Sequence, residues 1–166
     1  MDLIELCFQL AEEALYSDEV PIACAFLFNG NIVSKARNEV NVSKNATNHA
    51  EIIAIRRLEE YCRKNLLNLD EFVPRLTLFV TAEPCIMCTS ALRTLFKSPP
   101  LKIIFGASNE RFGGCGSVYN LDVLDMNLPQ LSCVKGIEEK RSIDLLKRFY
   151  LTENVNAPIS LRKLKR

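Results

Sequence analysis

Apolar residues recur at three- and four-residue steps through Leu3, Leu6, Cys7, Leu10, Ala14 and Leu15, with Glu5, Glu12 and Glu13 between them. That period predicts an amphipathic first helix. Val20 to Phe28 is rich in apolar residues, Asn29-Gly30 follows as a tight-turn pair, and Ile32 to Ala36 resumes an extended run. Two antiparallel strands joined by a short turn are predicted. From Asn38 to Asn48 apolar residues thin out, which predicts a loop ending in a helix cap at Thr47 or Asn48. A second helix then starts at about His49 and continues at helical spacing through Ile52, Ile55, Leu58 and Cys62.

Leu76 to Val80 reads as a third strand, and Pro84 suits the first turn of a following helix. Cys85 and Cys88 therefore open that helix, and Pro99-Pro100 ends it. Leu101 to Phe105 is a fourth strand, Leu131 to Val134 a fifth, and a last helix runs from Glu138 to Thr152 with Ile143, Leu146 and Tyr150 on one face. This order implies a three-layer α/β/α fold around a mixed sheet of roughly five strands. No repeat or linker interrupts it, so one domain over residues 1–158 precedes a basic tail at 159–166.

A chain of 166 residues has room for one such domain, and 48% hydrophobic with 25% charged residues suits a soluble globular protein. The longest apolar run is too short to cross a bilayer, and no membrane partner is expected. Asp2 and Glu5 in a helical pattern do not read as a secretory signal, so an intracellular protein is expected, in nucleus or cytoplasm. Seven cysteines, an odd number, then argue for reduced thiols and metal ligation rather than disulfides. Cys7, Cys24 and Cys62 read as small buried hydrophobes, and Cys115 and Cys133 are given no chemical role.

The net charge of +1 says little, but its distribution says more. Leu161 to Arg166 holds four positive charges and no acid, preceded by Arg141, Lys147 and Arg148 on the last helix. Such a run is either a solvated tail or a phosphate-binding one.

The chemistry centres on His49, the only histidine, which opens His49-Ala50-Glu51 upstream of Pro84-Cys85-Ile86-Met87-Cys88. One imidazole and two thiolates give a tetrahedral zinc three ligands and leave a fourth position for water, the arrangement of catalytic zinc. Cys85 and Cys88 sit three apart at a helix start, where free N–H groups and the helix dipole favour thiolate. Glu51, two residues after His49, points elsewhere and is placed beside the metal rather than on it. Zinc-bound water has a pKa near about 7, and a neighbouring carboxylate that takes its proton yields hydroxide for attack on an amidine carbon. A C-x-x-C pair alone is a weak signal. Joined to an upstream H-x-E and a Pro before the first Cys, it is the pattern of zinc-dependent nucleobase deaminases. A closed, purely structural zinc site would need a fourth protein ligand, for which Cys115 is the one candidate.

The chain resembles the cytidine-deaminase-like superfamily and, within it, the catalytic subunit of eukaryotic heterodimeric tRNA adenosine deaminases. The blocks that carry the resemblance are Glu19-Val20-Pro21-Ile22, Asn38-Glu39-Val40-Asn41, Asn45 to Glu51 and Thr81 to Cys88. The most selective is Asn109-Glu110-Arg111-Phe112-Gly113-Gly114-Cys115-Gly116-Ser117-Val118, and the similarity extends to Phe149-Tyr150 and Glu153 to Pro158. It implies a cytidine-deaminase-like fold, zinc ligation by His49, Cys85 and Cys88, proton transfer by Glu51, and base contact at Asn38. Ala50 is assigned to substrate binding with them. It implies hydrolytic deamination of adenosine to inosine at the wobble position, 34, of the tRNA anticodon loop. It also implies a heterodimer with a homologous, non-catalytic deaminase-like subunit lacking the shuttle carboxylate.

Within that frame the glycines of the segment around Asn109 either form a turn or let the backbone approach the anticodon loop while Asn109 and Arg111 touch nucleotides flanking the target. Arg162, Lys163, Lys165 and Arg166 are assigned to phosphate contact. Two other readings stay open at this point: a zinc-dependent deaminase of a free base or nucleotide, and a non-catalytic tRNA-binding subunit. Retention of Glu51 speaks against the latter.

Overall fold

The computed structural model describes residues 3–96, 98, 102–125 and 127–151. Helix α1 spans Leu3–Tyr16, strand β1 Ala23–Phe28 and strand β2 Asn31–Arg37. Asn29 and Gly30 between the strands both have positive φ, at 48° and 78°, which is the geometry that twists a two-residue hairpin correctly. Strand β1 starts later than the apolar run because Ile22 N–H is turned back onto the Val20 carbonyl at 2.7 Å, around Pro21.

The predicted loop from Asn38 contains a short helix, α2, over Val40–Ser43, closed by Lys44 in the left-handed region at φ 53°. Helix α3 spans Ala50–Lys64, and its cap is His49 rather than Thr47 or Asn48. Those two are engaged elsewhere: Asn45 Oδ1 accepts both the backbone N–H and the hydroxyl of Thr47, while the Asn48 amide bonds Ser43 and Arg56. Helix α4, Leu69–Phe72, is capped by Asn68 and runs into a 3-10 turn at Val73–Arg75. Strand β3 follows at Thr77–Ala82 and helix α5 at Ile86–Thr94.

Cys85 is the cap of α5, so Pro84 precedes the cap instead of lying in the first turn. The helix ends at Thr94, ahead of Pro99-Pro100, which lie outside the described residues. Strand β4 is Lys102–Ala107, strand β5 is the short Cys133–Lys135, and helix α6 is Glu139–Leu151. Glu138 has φ 56° and stands outside α6 for that reason. Thr152 and the tail beyond it lie outside the described residues.

The five strands form one mixed sheet in the order β2-β1-β3-β4-β5, antiparallel across β2, β1 and β3 and parallel across β3, β4 and β5. Alternate residues serve opposite cores. Ala23, Ala25 and Phe79 pack against α1 and Leu145 of α6, whereas Cys24, Phe26, Leu78, Val80, Ile103 and Phe105 pack against α3 and α5. Both faces are covered, which is why the strands read as apolar runs rather than alternating ones. Cys7, Cys24 and Cys62 are buried free thiols, as expected.

Since β2 and β3 both run antiparallel to β1, and β4 runs parallel to β3, the carboxyl ends of β2, β3 and β4 share one edge. Asn38, Glu83 and Ser108 follow directly from those ends. No helix among the described residues is long and apolar enough to cross a membrane.

Candidate metal centre and active site

The caps of α3 and α5 meet at this edge. His49 Nδ1 lies 3.5 Å from Cys85 Sγ and 3.7 Å from Cys88 Sγ. Neither cap residue closes its own helix with its side chain, because both are turned toward each other. The ligand atoms of His49, Cys85 and Cys88 all lie within 4.8 Å of one another, the one such cluster among the described residues. One imidazole and two thiols this close fit a zinc ion with an open position. Cys115 does not join them: its Sγ lies 3.4 Å from the Thr89 hydroxyl and in hydrogen-bond reach of Cys133.

The hydrogen bond from Cys88, aided by His49, pulls the Cys85 thiol down to about 4. Cys88, donor in that bond and buried, is pushed well up. His49 is raised by its hydrogen bond to Cys85. Glu51, only 3% exposed, is pushed up to about 7, first by burial and then by the neighbouring Cys85. It lies against Cys88 and the cluster without belonging to it.

This corner opens into a cleft of about 970 Å³. Asn38, His49, Glu51, Cys85, Asn109 and Arg111 all line it. So do Ile143, Leu146 and Tyr150, so the apolar face predicted for α6 serves the cleft, while Leu145 enters the core. Ala50 is fully buried with its methyl in the core, and it is not among the residues that line the cleft.

Two functional-looking acids stand in the sequence only as parts of longer blocks. Glu19 is fully buried, and its carboxylate accepts Asn38 Nδ2 at 2.9 Å and Val42 N–H at 2.8 Å. Glu83, directly after β3, accepts the backbone N–H groups of Asn109 at 2.8 Å, Cys115 at 2.9 Å and Ser117 at 3.1 Å, and also the Ser117 hydroxyl. The loop after β4 is thus folded around one carboxylate beside Cys85. Gly113 permits this closeness, since a Cβ there would stand 2.5 Å from Glu83 Oε2. An acid placed between an apolar strand and a proline is the signal the sequence offers for it.

Asn109 does form a turn: its Oδ1 accepts Phe112 N–H at 3.1 Å and, more weakly, Arg111 N–H at 3.4 Å. That turn presents Arg111 and Phe112 at the cleft. Arg141 is not available to phosphate as its place in the basic series suggests. It holds Glu5 of α1 through two hydrogen bonds, at 2.7 and 3.1 Å, with its guanidinium over Phe8. Arg162, Lys163, Lys165 and Arg166 lie outside the described residues.

Residues 1–106 match the family described as cytidine and deoxycytidylate deaminase zinc-binding region. The chain is 45% identical over 156 residues to tRNA-specific adenosine deaminase 2 of Xenopus laevis, covering 92% of this chain and 87% of that protein. It is 34% identical over 163 residues to tRNA-specific adenosine deaminase subunit tad2 of Schizosaccharomyces pombe, covering 98% of this chain and 40% of that one. A solved structure from studies of A-to-I editing by tRNA:A34 deaminases superposes with a TM-score of 0.72 at 25% identity, covering 87% of this chain and 98% of that chain. A guanine deaminase from Nitrosomonas europaea shares the fold at a TM-score of 0.67 and 20% identity, over 89% of this chain and 82% of that one. With the ligand cluster in place, residues 1–106 in the zinc-binding family and 45% identity across 92% of the chain, the chain belongs to the tRNA-specific adenosine deaminases of the cytidine and deoxycytidylate deaminase zinc-binding family.

Proposed function

We propose that this cleft converts adenosine at position 34 of a tRNA anticodon loop to inosine by hydrolysis. The observation that carries the reading is the buried Glu51 beside the His49, Cys85 and Cys88 cluster, opening on a cleft large enough for a base and its neighbours. Zinc held by those three side chains supplies Lewis acidity and lowers the pKa of water. Glu51 takes the proton of the attacking water as the C6–O bond forms and returns it to the ring nitrogen. It then carries the second proton to the departing amine as the C6–N bond breaks, so adenosine and water give inosine and ammonia. Asn38 holds the base; the turn at Asn109 and Arg111 meets flanking nucleotides.

A homologous, non-catalytic subunit completes the enzyme in this reading, and residues 159–166, with Arg162, Lys163, Lys165 and Arg166, contact tRNA phosphates. A net charge of +1 supports a shared tRNA surface, and exposed Phe112 at the cleft, with exposed Tyr119, Val123 and Leu124 further along the same segment, supports a protein neighbour. The setting is wherever tRNA is processed, nucleus or cytoplasm. The test is zinc-loaded chain with its partner on an anticodon stem-loop bearing adenosine at 34, read by inosine content. Inosine at that position alone is expected. Its absence, with ammonia released from free bases instead, overturns the reading.

A further inference from the structure

We infer that Glu19 is a positioning residue: it fixes which face of the Asn38 amide meets the base, and so takes part in selecting adenine. This rests on Asn38 contacting the base. Glu19 is fully buried and forms no ion pair among the described residues. A packing role alone needs no charge, and burying an unpaired carboxylate is costly. What the carboxylate provides is two acceptors, and both are used: one for Asn38 Nδ2, the other for Val42 N–H in α2. Its backbone is fastened in turn, with Glu19 N–H on the Ala14 carbonyl at the end of α1 at 2.9 Å.

The two ends of an asparagine amide have nearly the same shape, so its partner decides its orientation. An ionised carboxylate only accepts, and the NH2 end must face it. Asn38 is then left with Oδ1, which has no partner among the described residues, and with one unused amide hydrogen, at the wall of the cleft. An acceptor beside a donor matches the N6 amine and N7 of adenine. It mismatches the O6 and N7 of guanine, which are both acceptors.

Glu19→Gln breaks this logic at almost constant volume. One end of the new amide is a donor, and either Val42 or Asn38 must face it. If Asn38 turns over to accept, the cleft loses its acceptor. An aspartate at position 38 restores one, because it accepts from the new amide with one oxygen and offers the other to the base. Against the native Glu19 the same aspartate sets two carboxylates together.

The experiment measures kcat and KM for position-34 deamination with the partnered, zinc-loaded enzyme carrying Asn38→Ala, Glu19→Gln, Asn38→Asp and the Glu19→Gln/Asn38→Asp pair. Zinc content and thermal stability are recorded for each. Glu19→Gln is expected to lower kcat/KM about tenfold to a hundredfold with zinc retained, the worth of one oriented base contact. Asn38→Asp is expected to be about tenfold better in the Glu19→Gln background than beside the native Glu19, a coupling that packing does not produce. Equal impairment by Asn38→Asp in both backgrounds overturns the inference even if Glu19→Gln folds poorly. A defect in Asn38→Ala without one in Glu19→Gln overturns the positioning role and leaves the base contact standing. No defect in Asn38→Ala overturns both, while inosine formation by the native enzyme keeps the reaction itself.

Discussion

His49 and Cys85 hold the same position on two different helices: each caps its helix, and Nδ1 of one lies 3.5 Å from Sγ of the other. Two helix N-termini therefore point their positive ends at one spot, which favours the thiolates that metal ligation requires. Cys88 stands one turn into α5 and closes the cluster from beneath.

Removing His49 should empty this site, because the chain has no second imidazole to take its place. His49→Ala is expected to lose stoichiometric zinc, measured by elemental analysis after gel filtration. Melting temperature should then respond to added zinc in the native chain and not in the variant, since a ligand of the folded state stabilises it by mass action. Full zinc occupancy in His49→Ala would refute the ligand assignment.

Glu51 is separable from the metal. Glu51→Gln preserves shape and leaves His49, Cys85 and Cys88 in place, so zinc content and melting temperature should stay near native values. Turnover should drop by about 10²- to 10⁴-fold, the range of a lost general acid–base group. A variant with native turnover would remove Glu51 from the proton path.

Periodicity in the sequence reaches as far as long elements with buried faces. α1, α3, α6 and the four longer strands are legible because their apolar spacing repeats over several residues. α2 and α4 have four residues each and no period to read. The three ligands and Glu51 are legible because their spacing is chemical. Glu19 and Glu83 are not, since their meaning lies in partners 19 to 34 residues away. Arg93 is hidden for the same reason. The cap of α3 falls beyond Thr47 and Asn48, good caps by type, because those two are occupied by Asn45 and Arg56.

Acid should loosen α1 from α6. Arg141 holds the Glu5 carboxyl below its usual 4.5 through their hydrogen bonds. A depressed folded pKa contributes stability above the unfolded value, and that contribution fades as pH falls from about 4.5 through the lowered folded value. Glu5→Gln should melt slightly below the native chain at pH 7, with the gap closing in acid. Both groups are partly exposed, so the effect is small. A gap that widens in acid contradicts the sign.

Arg93 is buried in α5 and donates to four backbone carbonyls, those of Leu121, Leu124, Leu128 and Pro129. Its planar fork reaches all of them at once, which a lysine ammonium does not. Arg93→Lys should cost roughly 2–4 kcal/mol in denaturant unfolding, from carbonyls left without donors. A change within about 0.5 kcal/mol, the size of an ordinary surface substitution, would show that the fork is dispensable.

Glu83 ties the loop after β4 to the metal corner, and its loss should separate stability from zinc binding. Glu83→Ala takes the acceptor from the N–H groups of Asn109, Cys115 and Ser117, that of Cys115 in a buried setting and the other two in a partly buried one. At about 1–3 kcal/mol for each unsatisfied donor, partly relieved by entering water, a net cost of roughly 2–5 kcal/mol is expected. Gly113 packs against the same carboxylate, so Gly113→Ala should damage the loop from the other side. Pairing the two variants should cost less than the sum of the singles, because removing the carboxylate frees the space that the new methyl needs. Neither change removes the side chain of His49, Cys85 or Cys88, so zinc content should stay near native even though Gly113 pairs with Cys85 through the backbone. kcat/KM on the anticodon stem-loop should drop, because Asn109 and Arg111 leave their turn at the cleft. Strict additivity of the two variants would show that the carboxylate and the glycine act independently.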